Sequence, residues 1–208
     1  MDRAATTTTA AAVLWLALGP ALAASARPSP APGMDDVCQT PVSVPTAAVR
    51  SLLAVRLPAV RLRAHDGGES DLASSLDAQR PVLLNFIFTS CTTVCPPLSQ
   101  TFAAVQERLG PRRGQVQMVS VSIDPEHDTP ARLRQYAARF GAGSQWRFHT
   151  GSAESVDAVQ RAFNVYRPDK MGHTPVTFVR PRASRQWVRL DGYATPDELI
   201  RTAFAPPP

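Results

Sequence analysis

The stretch Val82-Leu83-Leu84-Asn85-Phe86-Ile87-Phe88 constrains this chain more than any other. A strand with one wet face alternates apolar and polar residues. A nearly unbroken apolar run predicts a strand covered on both faces, the centre of a sheet between two layers of helices. The run ends in Thr89-Ser90, and Cys91-Thr92-Thr93-Val94-Cys95 follows at once. Pro96-Pro97 then opens the helical stretch PPLSQTFAAVQERL; proline fits only a first helical turn, and Gly110 supplies the stop. Two cysteines therefore stand between a buried strand and the mouth of a helix. Because a residue before proline avoids helical angles, Cys95 is expected outside the regular helix.

The remaining segments extend the same architecture. Leu57 to Ala64, a His65-Asp66-Gly67-Gly68 turn and Glu69 to Leu72 predict an N-terminal β-hairpin. Val116 to Ile123 predicts a second buried strand, and Trp146 to His149 a short one. Thr129 before Pro130 predicts a capped helix ended by Gly141. Ser152 to Phe163 carries Val156, Val159 and Phe163 on one helical stripe. Pro175 to Val179 and Gln186 to Leu190 predict two strands joined by a tight turn. Thr195-Pro196-Asp197-Glu198 is a capping box opening the last helix. Strands alternating with helices imply parallel pairing, and the strand-turn-strand-helix ending implies antiparallel pairing. Together they predict an α/β thioredoxin-like sandwich: a central mixed β-sheet flanked by helices, with the N-terminal hairpin attached.

Length divides the 208 residues into one domain with appendages. Residues 1–24 read as a signal peptide or membrane anchor. Arg3 precedes an apolar run from Ala10 to Leu18, shorter than the ~20 residues of a spanning helix, and Ala21-Leu22-Ala23 has the form of a cleavage site. Residues 25–44, rich in Pro, Ala and Ser, read as a flexible tether, 45–204 as the folded domain and 205–208 as a tail. The expected location is therefore periplasmic, with anchoring to the inner membrane as the alternative to cleavage. The net charge is +5, yet the arginines are scattered with no run and no interleaved aromatics, which argues against nucleic-acid binding. Three cysteines exclude a disulfide-dense scaffold.

Cys91 and Cys95 carry the chemistry. Helix N-terminal amides stabilise thiolate, the form that attacks disulfides and binds soft metals. The spacing allows a disulfide ring if the Cα atoms come within ~7 Å, and equally allows both sulfurs to hold one ion. Of four histidines, His65 beside its Gly turn reads as solvated, His127 as part of a polar turn and His149 as packed in a strand. His173 in Gly172-His173-Thr174-Pro175 is different: in a thioredoxin-like sheet this loop faces the cysteine motif, and Pro175 is a candidate for a cis peptide bond. Two thiolates and an imidazole suit copper, as Cu(I) or Cu(II); zinc is the rival, but a structural zinc needs four ligands. Cys38 would be a fourth ligand only if the tether folded back. Met118 and Met171 read as packing residues rather than thioether ligands.

Three blocks carry a family resemblance: Phe88-Thr89-Ser90-Cys91-Thr92-Thr93-Val94-Cys95-Pro96, Val121-Ser122-Ile123-Asp124-Pro125-Glu126-His127-Asp128-Thr129-Pro130, and His173-Thr174. In this order they resemble the Sco/SenC family of thioredoxin-fold copper proteins of the bacterial periplasm and the mitochondrial intermembrane space. The resemblance implies copper binding by Cys91, Cys95 and His173, with Asp124 as a supporting group near the site. It implies a metallochaperone role in assembling the dinuclear copper centre of cytochrome c oxidase, by copper delivery, by reduction of the acceptor's cysteines, or both. The implied partners are the copper-centre subunit of the oxidase or another copper protein, and a thiol-disulfide partner. The chain departs from many members in having Thr92-Thr93 for Pro-Asp, Gly172 for an Asp before the histidine, Pro175 after Thr174, and a short segment from Tyr166 to His173. A thiol-disulfide oxidoreductase using only Cys91 and Cys95 is the alternative, and a redox or copper sensor a third. No C-x-x-C-H haem motif, Gly-rich phosphate loop or serine elbow is present in the sequence.

Overall fold

A computed structural model describes residues 48–76 and 79–207. The elements run β1 (Val49–Leu53), β2 (Arg61–Ala64), β3 (Glu69–Asp71), α1 (Leu72–Ser75), β4 (Val82–Ile87), α2 (Cys95–Leu109), β5 (Gln117–Ser122), α3 (Pro130–Arg139), β6 (Trp146–Thr150), α4 (Ala153–Ala162), β7 (Val176–Arg180), β8 (Trp187–Asp191) and α5 (Pro196–Ala203). A short 3₁₀ segment, Lys170–Gly172, precedes β7. The proposed leader and tether, with Cys38, lie outside the described residues.

The strands form one mixed sheet in the order β1-β8-β7-β4-β5-β6-β2-β3. β4 pairs parallel with β5, and β5 with β6; β7 and β8 return antiparallel. All six residues of β4 are buried, as a strand covered on both faces must be. Its side chains divide between two cores. Leu83 and Ile87 join Phe102 and Val105 of α2, Leu133 and Tyr136 of α3 and Leu199 of α5. Val82, Leu84 and Phe86 join Val156 and Val159 of α4 with Phe163, Phe178 and Trp187. The thioredoxin-like sandwich and its hairpin are thus present, β2 and β3 pairing antiparallel around the predicted Gly turn.

Three features depart from the sequence reading. Residues 57–60 are not strand, and the hairpin is shorter than expected. An edge strand, β1, was not anticipated. It pairs antiparallel with β8 although four of its five residues are exposed, so backbone bonds rather than a buried stripe define it. Cys95 is the first residue of α2, not a residue outside it. Pro96 and Pro97 sit in the first turn, where their missing N–H groups have no intrahelical partner to lose, so the helix runs through them from Cys95.

Candidate copper and thiol site

The end of β4 delivers the cysteines. Phe88 and Thr89 leave the strand, and Cys91 N–H donates to the Phe88 carbonyl at 3.1 Å. The turn is fastened from beside it by Asp128, a fully buried residue ahead of α3. Asp128 accepts from Thr89 N–H at 3.1 Å, from Thr89 Oγ1 at 2.5 Å and from Ser122 Oγ at 2.6 Å. The ends of β4 and β5 and the approach to α3 are thereby tied to one carboxylate.

Cys91 and Cys95 are both free thiols, and the chain brings them together: Cys95 N–H donates to Cys91 Sγ at 3.3 Å. Their environments differ. Burial would push the Cys91 thiol up, but hydrogen bonds from the Cys95 thiol and N–H and from Thr93 outweigh it, so the thiol lies below its ordinary range. Cys95 is fully buried, and burial pushes its thiol far up; the hydrogen bond it gives Cys91 and the charge of Asp128 act in the same direction. The Cys91 thiol therefore ionises more readily than an ordinary one, and the Cys95 thiol far less readily.

His173 follows the 3₁₀ segment and is buried, with Nε2 3.0 Å from the Phe86 carbonyl. A carbonyl only accepts, so Nε2 carries the proton and Nδ1 keeps the lone pair. Burial lowers the imidazole's pKa and favours this neutral, ligand-competent form. Among the described residues, no three His, Cys, Asp or Glu side chains stand together as a metal-holding group. The two sulfurs are gathered; the imidazole stands on the neighbouring β4 carbonyl. Thr174–Pro175 is trans, since no cis peptide occurs among the described residues, which corrects the expectation for Pro175.

Asp124 is buried at the end of β5. Its Oδ2 accepts from Lys170 Nζ at 2.6 Å and its Oδ1 lies 3.0 Å from His127 Nδ1. Burial alone would raise its carboxyl, but Lys170 and His127 hold it below the usual carboxylate range. Neither partner of Asp124 was expected from the sequence. The roles of Asp128, Thr89, His127 and Lys170 were missed. Asp128 read only as part of a turn, and the available signal for Lys170 was that it is the sole lysine among 22 basic residues.

Other candidates resolve simply. His149 is buried in β6 and outside the site. His65 is not merely solvated: its Nδ1 accepts from Phe148 N–H at 3.2 Å and its ring meets the edge of Phe148. Met118 is fully buried, as a packing residue should be, but Met171 is 69% exposed and lies largely in solvent rather than in a core.

Two adjacent sulfurs are donors of the kind soft metals prefer, and the neutral imidazole of His173 keeps a lone pair on Nδ1 in the loop before β7. Similar proteins share the fold. A Bacillus subtilis SCO1 protein homolog is 38% identical over 74 residues, 35% of this chain and 38% of that protein. The mitochondrial SCO2 homolog of Bos taurus is 36% identical over 87 residues, 41% of this chain and 32% of that protein. The matches span less than two fifths of either relative's length. The copper-bound structure of Bradyrhizobium japonicum ScoI superposes with TM-score 0.57 at 26% identity, over 68% of this chain and 96% of that one. BsSco, described as a member of the Sco family of cytochrome c oxidase assembly proteins with a disulfide switch, superposes at 0.61 and 23% identity, over 74% and 95%. The SCO1/SenC family model matches residues 62–203, from the first strand of the hairpin to the end of α5, and the chain belongs to that family.

Proposed function

We propose that this protein is an exported copper-binding assembly factor that serves the dinuclear copper centre of cytochrome c oxidase, delivering copper, reducing the acceptor's cysteines, or both. The observation that carries the reading is the free thiol pair at the mouth of α2, with Cys91 biased to thiolate. Family membership and the likeness to a copper-bound relative support it. Cys91 and Cys95 would hold copper through sulfur, and His173 through Nδ1, because Nε2 donates to Phe86. Binding releases the thiol protons, so uptake strengthens as pH rises. In this reading residues 1–24 export or anchor the chain, 25–44 tether it, 45–204 form the working domain and 205–208 a tail, placing the domain in the periplasm.

Reduced protein titrated with Cu(I) under anaerobic conditions should take up one ion per chain. Cys91→Ser should abolish uptake, and His173→Ala should weaken it. Undiminished binding by His173→Ala would remove the histidine from the ligand set.

The asymmetry of the thiols favours a second reading, the thiol-disulfide oxidoreductase. Cys91 thiolate attacks a partner disulfide, forming a mixed disulfide and releasing one partner thiolate. Cys95 then loses its proton and displaces the other, leaving a Cys91–Cys95 disulfide and a partner dithiol; two electrons pass to the partner. His173 is dispensable in that chemistry, so a His173→Ala variant with full reductase rate and no copper uptake in wild type would select it.

A further inference from the structure

Lys170 opens the 3₁₀ segment immediately before His173. Its ammonium donates to Asp124 Oδ2 at 2.6 Å and stands 5.8 Å from the centre of the Phe88 ring, beside the turn that carries the cysteines. The Asp124 side chain is only 7% exposed. Asp124 is itself immobilised: its N–H donates to Ser122 Oγ at 3.0 Å, and its carbonyl accepts from the N–H groups of His127 and Asp128. Lys170 therefore grips the frame at the end of β5 through a charge-assisted bond to a buried group.

The backbone of the same residue holds the histidine. The Lys170 carbonyl accepts from His173 N–H at 3.1 Å. Asp169 closes the turn from the other side, its carboxylate accepting from Met171 N–H at 2.8 Å and its carbonyl from Gly172 N–H at 3.0 Å. Met171 points into solvent and Gly172 has no side chain. Within Lys170–Gly172, the lysine ammonium is thus the side-chain tie between turn and frame. Removing it leaves the turn's internal bonds intact but cuts their tie to Asp124, and the buried His173 ring then keeps a single hydrogen bond, to Phe86.

We propose that Lys170 is the positioning residue of the His173 imidazole: pinned on Asp124, it fixes the turn that presents Nδ1. The consequence for metal rests on the copper reading above, whereas the pinning does not.

Long-range ¹H–¹⁵N spectra of the reduced, metal-free full-length protein test the pinning. Wild type should show His173 as the Nε2–H tautomer with a slowly exchanging ring proton. Lys170→Met should lose that signal to fast exchange and mixed tautomers, and Lys170→Arg should keep it. The double variant Lys170→Met/Asp124→Asn leaves no orphaned buried carboxylate, so it reports on the turn even if Lys170→Met is poorly folded; it too should lose the signal. In Cu(I) competition, Lys170→Met should bind about 10–100-fold more weakly than wild type, and its Cu(II) spectrum should match that of His173→Ala. A slow Nε2–H proton that persists in the double variant overturns the proposal, as does wild-type copper affinity with an intact imidazole signature. If wild type takes up no copper, the copper reading falls while the NMR comparison still decides the pinning.

Discussion

Cys91 and Cys95 are the same residue type made chemically unlike by position. Cys91, 7% exposed, receives hydrogen bonds that favour its anion; Cys95, with no exposed surface, gives one and sits in a dry core. The motif showed that two sulfurs share a helix mouth, but not which would be the thiolate, because burial and donor direction are tertiary quantities. The asymmetry predicts the alkylation chemistry of the reduced protein. Iodoacetamide should modify Cys91 with a pH midpoint on the acid side of an ordinary thiol and leave Cys95 unmodified in the native state. Cys95→Ser, which substitutes a different donor, should shift the Cys91 midpoint. Peptide mapping that finds Cys95 labelled first would reverse the assignment.

The elements show which signals are local. Thr129, Ser152 and Thr195 each accept from the backbone N–H three residues on, so the starts of α3, α4 and α5 were legible from neighbouring residues alone. The end of α2 was legible for the same reason. Gly110 stops the helix with φ +50° and ψ −121°, and its N–H closes back on Gln106 and Glu107. Side chains strongly disfavour that conformation, so Gly110→Ala should cost about 1–3 kcal/mol. Urea unfolding measures it, and an unchanged midpoint would mean the turn tolerates a Cβ. β1 had no such local signal. Its residues are mostly exposed, and its definition comes from β8, far along the chain. The register of a distant partner cannot be read from five half-polar residues.

At the scale of the whole molecule, the central strands serve two cores at once, and a polar group caught between them has few partners. His149 lies 2% exposed in β6, with Nδ1 lacking a hydrogen bond. Burial first, and then the nearby Arg147, lower its pKa to about 4 from 6.5. Between these values the unfolded chain takes up a proton that the folded chain refuses. Stability is therefore fully present above pH 6.5, falls as the pH drops and levels off below about 4, for a loss of about 3 kcal/mol. Urea midpoints at pH 7 and pH 4.5 should show the decline, and His149→Phe should flatten much of it. An equally steep decline in that variant would assign the effect to other groups.

The sequence by itself determined the central strand, the starts of α3, α4 and α5, the pairing of two cysteines with a helix mouth and the family, because apolar runs, caps and short motifs act over a few residues. Only the tertiary structure decided that Asp128 fastens the cysteine turn, that His173 donates through Nε2 to Phe86, and that Lys170 reaches Asp124. Each of these joins segments far apart in the chain, and long-range contacts are fixed by how the two layers pack on the sheet rather than by any neighbouring residue.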